Sequence, residues 1–309
     1  MGIIARYLVK YFAFCWKNAE CPTHDNNFKA ITAMLLAVFC VTIMSVQAKL
    51  IGIEYNAVQI TFARAIVVLI LLMPFIYKLG GLNFLKTKKP FLHFFRGLAG
   101  LIGNIMFFLA FQRLPVADVT VISQAVPIFS CILAIIFLGE TIGWRRWTAI
   151  TIGFLGVIIA INPSVNIAVA SLYALGGTLM WSTTIIFLRL LGSTEHPVKT
   201  VFYFMLVSVL ITSIFQPFLW KEPSFEVILL IIGIGIAAFL TQLLMTYALQ
   251  KAPASIVSPF NYTGIVWAII FDYIIWNAHP MFATIFGGII ITISGIYIFK
   301  REAKIKSIK

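Results

Sequence analysis

The chain has 309 residues, of which 61% are hydrophobic and 11% charged, at a mean hydropathy of +1.02, whereas a soluble domain carries about 25% charged residues. This composition excludes a soluble globular fold and describes an integral membrane protein. The formal net charge is +13, but no basic patch interleaved with aromatics forms a soluble module, so no nucleic-acid partner is expected.

Residues 1–17 place apolar side chains at 3, 4, 7, 8, 11, 12, 15 and 16, with Arg6, Lys10 and Lys17 at helical spacing. Such a segment can lie on the inner leaflet of the bilayer; a disordered extension is its alternative. Its apolar part is too short and too charge-broken for a cleavable signal sequence. Met1-Gly2 lacks the Ser or Thr of a myristoylation signal, because position 6 is Arg. Residues 1–27 are therefore expected to be a retained, basic amphipathic cytoplasmic segment.

From residue 28 onward, apolar runs between charged or Pro/Gly-marked breaks predict spans near 28–50, 58–78, 91–112, 116–138, 146–162, 167–189, 198–219, 226–249, 254–276 and 281–299. A bilayer core needs about 20 apolar residues per helix, and runs that are continuous rather than alternating select helices over a barrel. The expected fold is an all-α polytopic membrane protein with ten transmembrane helices. Ten crossings put both termini on one face. Of the 23 Lys and Arg residues, 18 fall on that face, Lys49, Arg113 and Lys221 on the other, and Arg64 and Arg96 within spans. The positive-inside rule then predicts cytoplasmic termini in an inner membrane, with 301–309 as a basic cytoplasmic tail. The same asymmetry accounts for the net charge.

Cys15, Cys21, Cys40 and Cys131 form no C-x-x-C pair and are expected to be reduced apolar fillers. His24, His93, His196 and His279 show no metal-ligand spacing, so neither a metal nor any other cofactor is expected.

Ala110-Phe-Gln-Arg-Leu-Pro115 recurs as Ala248-Leu-Gln-Lys-Ala-Pro253, an offset of 138 residues, and Gly156-Val157 matches Gly295-Ile296 with one residue of slippage. This predicts two five-helix repeats, 28–162 and 163–300. Five is odd, so the second copy starts from the opposite face, and a pseudo-two-fold axis in the membrane plane relates the halves. A central site between such halves can face either side in turn, the architecture of a secondary transporter.

Arg96-Gly97, Phe108-x-Ala110-x-x-x-Leu114-Pro115-x-Ala117, Pro127, Leu138-Gly139-Glu140, Trp144-x-Arg146 and Gly153-x-x-Gly156-Val157 occur in order, followed by Ala248-x-x-x-Ala252-Pro253-Ala254, Asp272-Tyr273 and Gly295-Ile296-Tyr297. Over about residues 28–301 the sequence resembles the drug/metabolite transporter superfamily of the EamA type. With Arg96-Gly97 opening the third helix and Gly143-Trp-Arg-Arg-Trp147, it is similar to the S-adenosylmethionine uptake carriers of that superfamily. The resemblance implies carriage of a small polar or zwitterionic metabolite, in exchange for a demethylated product, with export of amino acids or drugs as the alternative. One departure stands out: the family's second Gly-Glu is replaced by Trp276-Asn277-Ala278.

An ionisable side chain in hydrocarbon costs about 2.5–3.5 kcal/mol on insertion scales, so each needs a partner, a cavity or a route to the interface. Snorkelling is expected for Arg96, and for Arg64 it stands level with a cavity role. Glu140 is expected at the cytoplasmic interface beside Arg145 and Arg146, and Asp118 and Asp272 near outer helix ends. No acid falls at mid-membrane. The expected substrate-binding residues are Asn104, Gln124, Trp181 and Asn261, followed by Tyr262, Gln242, Gln47 and Trp267, because amides hold both ends of a zwitterion and aromatic faces attract a cation. Interhelical hydrogen bonding is the competing role for each. Pro127 and Pro259 are candidate hinges. Helices five and ten, with Gly153-x-x-Gly156 and Gly287-Gly288, are read as scaffold or as a homodimer face. A membrane-embedded transferase would need clustered carboxylates for a divalent metal, and the aspartates, Asp25, Asp118 and Asp272, are far apart. A channel would need a ring-forming charged helix, and an ATP-driven pump a P-loop.

Overall fold

In a computed structural model, the structure describes residues 24–139, 144–161, 165–191, 195–251 and 257–306. The expected surface helix at 1–17 and Glu140 lie outside these residues. Among the described residues there is no strand. The helices are α1 His24–Ile51, α2 Ala57–Lys78, α3 Pro90–Phe111, α4 Val116–Ser123, α5 Val126–Leu138, α6 Trp144–Ile161, α7 Val165–Leu191, α8 Pro197–Ser213, the short α9 Gln216–Leu219, α10 Phe225–Lys251, α11 Thr263–Trp276 and α12 Phe282–Lys306. Short 3₁₀ turns cover Gly81–Leu85 and Ser258–Tyr262.

Six segments are long and apolar enough to cross a bilayer, Phe28–Ile51, Ala57–Lys78, Pro90–Phe111, Val116–Phe137, Val169–Leu188 and Phe225–Met245, alongside shorter apolar helices at Trp147–Ala160, Pro197–Ser213 and Phe282–Ile298. Large apolar side chains point outward all along them, among them Ile70, Leu210, Leu229 and Ile293. A soluble monomer does not sustain so much exposed apolar surface, so these faces meet lipid, and the chain is a multi-pass membrane protein.

Two expected spans are interrupted. The fourth is divided between α4 and α5 at Gln124–Ala125, and the ninth begins as the 3₁₀ turn before becoming α11 at Thr263. Pro127 lies in the first turn of α5 and Pro259 in the first turn of the 3₁₀ segment Ser258–Tyr262, where a missing N–H is tolerated. The seventh expected span also ends early, at Ser213, and resumes as α9.

The principal packing pairs are α1 with α10, α3 with α7, α6 with α12, α2 with α8, α2 with α10, α3 with α8, α5 with α7, and α4 with α11. Glycines set the close crossings. A Cβ on Gly287 would sit 2.5 Å from the Gly156 carbonyl oxygen and 2.7 Å from Ala160, and one on Gly153 would meet Ser294 at 3.2 Å. The small residues of the fifth and tenth expected spans thus face one another inside one chain.

Helix ends explain the Gly-Glu departure. Gly139 terminates α5 at φ 62° and Asn277 terminates α11 at φ 49°. Both are left-handed caps, and Asn is the residue that best replaces Gly there. Asn277 also donates its N–H to the Tyr273 carbonyl, and Ala278 donates to that of Asp272.

Gly287→Ala is expected to destabilise the detergent-solubilised protein by about 1–3 kcal/mol through overpacking. Ile289→Ala, on the outward face of the same helix, is expected to stay within about 0.5 kcal/mol. Thermal unfolding followed by tryptophan fluorescence compares the two.

Candidate functional site

Polar side chains gather at three levels of the bundle. The first is central. Arg64 lies about two turns into α2, Asn104 about two turns before the end of α3, and Met44 about two turns before the end of α1, which puts all three at one depth, about 11 Å from the same end. Arg64 Nη1 donates to Asn104 Oδ1 at 3.4 Å and approaches Met44 Sδ at 3.9 Å. The guanidinium lies 5.7 Å from the Phe108 ring centroid. Arg64 is 3% and Asn104 7% exposed. Snorkelling is therefore corrected: Arg64 points into protein.

That contact satisfies little. Arg64 Nε and Nη2 and Asn104 Nδ2 are buried with no acceptor among the described residues, and Gln47 Oε1, one turn beyond Met44 on α1, has no donor. Unmet buried polar groups cost about 1–3 kcal/mol each, more when charged, so a surplus of donors in one place favours an acceptor from outside the fold. Arg96 differs. It too is buried, but its Nη1 donates to the Thr200 carbonyl at 2.7 Å and it stands over the Phe204 ring. It fastens α3 to α8 and does not reach the interface by snorkelling.

The second group lies where the two interrupted spans cross. Gln124 Nε2 donates to the Asn261 carbonyl at 3.1 Å, and Gly264 faces the same amide. Tyr262 is buried against Gly295 of α12. Trp181 sits on α7 where that helix crosses Gly103, next to Asn104 in sequence. The structure thus joins Asn104 to Arg64, and the Gln124 side chain to the backbone of Asn261, with Tyr262 turned toward Gly295. It separates two other expected residues: Gln242 lines a small cleft with Leu72, Pro197 and Phe239, and Trp267 is a half-exposed ring edge-on to Phe39.

The third level comprises both ends. At one end, Lys49 Nζ pairs with Asp272 Oδ1 at 3.0 Å while Asp272 Oδ2 accepts from Ala117 N at 2.7 Å. Pro115 precedes α4 and offers no side-chain cap, so the α11 carboxylate serves as cap and as counter-charge to the helix dipole. Lys49 also lies 4.1 Å from the Trp276 ring centroid. Nearby, Lys221 N and O bracket the Gln59 amide. At the other end, Thr87 Oγ1 donates to Glu195 Oε1 at 2.7 Å, Lys199 Nζ pairs with Glu195 Oε2 at 3.0 Å, and His93 Nε2 lies 3.8 Å from that oxygen. Tyr203 stacks on His93 and donates to the Leu85 carbonyl.

Burial alone would raise the Glu195 carboxyl, but the Thr87 hydroxyl and the Lys199 ammonium outweigh it and hold the group below its ordinary range. Burial, helped by Lys199, pushes His196 down to about 4; its Nδ1 accepts from Val198 N at the start of α8.

Arg64 and Asp272 are functional candidates that the expected site omits. The signal for Arg64 was present, a lone cation inside a span; its partner was not, because Asn104 lies on another helix. The Asp272 link to α4 has no sequence signal beyond the uncapped turn at Pro115.

The sequence profile described as "EamA-like transporter family" matches residues 28–162 and 168–300. The chain is 30% identical to an S-adenosylmethionine uptake transporter of Rickettsia bellii over 277 residues, 89% of this chain and 94% of that protein. It is 26% identical to the pseudopaline exporter CntI of Pseudomonas aeruginosa, over 85% and 93% of the two chains. One solved crystal structure superimposes with a TM-score of 0.62 at 15% identity, covering 91% of this chain and 99% of that one, a likeness of fold alone.

The Glu195 and His196 shifts predict pH dependence with a definite sign. Between pH 6.5 and about 4 the unfolded chain binds a proton at His196 that the folded chain does not, and the depressed Glu195 acts in the same direction at lower pH. Stability is therefore full above pH 6.5 and declines on acidification. With the shift discounted for the partial exposure of the imidazole, the apparent melting temperature is expected to fall by about 2–4 °C between pH 7 and 5, roughly the effect of 1 kcal/mol. His196→Asn, which retains an acceptor for Val198 N, is expected to flatten the profile.

Proposed function

Because the chain belongs to the EamA-like transporter family, we propose that it is a secondary carrier taking up S-adenosylmethionine across the bacterial inner membrane by alternating access. Ten spans form two inverted five-helix halves, with both termini cytoplasmic. The helix pairing supports this: exchanging each span with the one five places on leaves the pattern of α1–α10, α3–α7, α2–α8, α4–α11 and α6–α12 unchanged. The interruptions at Gln124–Ala125 and Tyr262–Thr263, and the left-handed caps Gly139 and Asn277, are each separated by the 138 residues of the sequence repeat. Carriers of this architecture bind substrate at the interface of their repeats, beside discontinuous helices.

The observation that carries the mechanism is the distribution of polar contacts between the halves. Lys49 and Ala117 in the first half meet Asp272 in the second, and Thr87 in the first meets Glu195 in the second. Contacts between the halves thus close both ends, Gln59 with Lys221 adding to one and Tyr203 with Leu85 to the other, with unsatisfied amides and a guanidinium between them. Opening one end while the other stays shut exposes the centre to one side, with Pro127 and Pro259 as hinges. Exchange for a demethylated product removes the need for a coupling ion, consistent with the absence of a mid-membrane acid among the described residues. Similarity to an exporter, that of pseudopaline, supports export of amino acids or drugs as the second reading.

Proteoliposomes containing the protein are expected to accumulate labelled S-adenosylmethionine saturably, faster when preloaded with S-adenosylhomocysteine. A short bifunctional thiol reagent bridging Lys49→Cys and Asp272→Cys should arrest that uptake in a reductant-reversible way. Absence of saturable uptake together with amino-acid efflux would favour the exporter.

A further inference from the structure

We infer that Arg64 and Asn104 form the carboxylate subsite for the amino-acid head of the transported compound, with Gln47 as acceptor for its ammonium; this rests on the uptake reading above. The central cluster is a set of donors lacking an acceptor. Arg64 is a fixed cation, 3% exposed, with Nε and Nη2 free and no carboxylate of the described residues paired to it. Asn104 takes one weak bond from Nη1 through Oδ1, a contact that turns its Nδ2 donor free beside the guanidinium. A carboxylate is planar, carries two acceptor oxygens and matches an arginine fork in a bidentate manner. A neutral acceptor answers the hydrogen bonds but not the charge.

Gln47 supplies the complementary group. Met44, which touches Arg64, and Gln47 are three residues apart on α1 and share a helix face, about 4.5 Å apart along the axis. Gln47 Oε1 is buried without a donor, and the side chain is backed by Gly233 of α10. Donors on α2 and α3 with an acceptor on α1 present opposite polarity one helical turn apart, the pattern of an α-amino acid head. Phe108 against the guanidinium keeps the cation in place without consuming its N–H groups. Arg96 leaves only Nε unmet, and its Nη1 is already bonded to a backbone carbonyl, whereas Arg64 leaves both Nε and Nη2 unmet on one edge of the guanidinium.

The test measures binding to purified protein in detergent with three probes: S-adenosylmethionine, its decarboxylated analogue, and S-adenosylhomocysteine. The unmodified protein is expected to prefer the two carboxylate-bearing probes to the decarboxylated one by about 100-fold. Arg64→Gln is expected to erase that preference by weakening the carboxylate probes alone, and Asn104→Leu to narrow it about 10-fold. Arg64→Lys, which keeps the charge but not the fork, should retain part of the preference; melting curves report which variants are folded. If every folded Arg64 variant discriminates as the unmodified protein does, the subsite assignment is overturned while the uptake reading stands. If the unmodified protein binds none of the three probes, methionine against methioninamide is measured next. An Arg64-dependent preference there upholds the subsite while removing the uptake reading, and none removes both.

Discussion

Inside hydrocarbon a backbone N–H or C=O has no water to turn to, and this shapes the whole molecule. Uninterrupted helices meet the requirement alone, which is why most described segments run through with apolar side chains facing lipid. The two that break their hydrogen-bond ladders, at Gln124–Ala125 and before Thr263, do so where they cross, and the Gln124 amide answers the Asn261 carbonyl there. Irregular backbone at membrane depth is tolerated only when protein surrounds it. The breaks therefore mark the interior, as the Arg64–Asn104 contact does on neighbouring helices.

Polar contacts are unequal in what they contribute. Lys221 and Glu54 lie 3.1 Å apart, but both are more than half exposed, and such a pair is worth about 0–1 kcal/mol. Asp272 is 1% exposed and holds both an ammonium and a helix N-terminus. Removing it would leave Lys49 and the first turn of α4 without their partner together. Burial, not the number of pairs, identifies the contacts that matter.

Much of the fold could be read from the sequence because hydrocarbon thickness imposes one length scale on every crossing. The helix from Ala57 to Lys78 lies within a residue of its expected start, and the all-helical class follows from continuous apolar runs. The breaks in the fourth and ninth spans did not show in hydropathy, since Gln124 and Asn261 scarcely change a window average; Pro127 and Pro259 were the visible trace. Asn104, Gln124 and Asn261 stand out as candidates in the sequence because an amide in a span is rare, and the structure gives each a polar contact. Trp267 lies half exposed against Phe39 and apart from the amides, because aromatic rings serve the lipid face as readily as a cavity and one sequence does not reveal which way a ring points. Arg64 could be seen but not placed, since its partner comes from a helix forty residues away. The Gly-Glu departure turned out to be conformational: Asn277 keeps the left-handed cap while the acid is gone.

One carboxylate in α11 holds the start of α4 by its N–H and the end of α1 by its ammonium. Three helices thus converge on a single anion, and moving α11 away breaks both contacts at once. On the proposed cycle, the outer face then yields in one concerted step rather than by loosening piecemeal, which suppresses half-open conformations through which solutes would seep down their gradients.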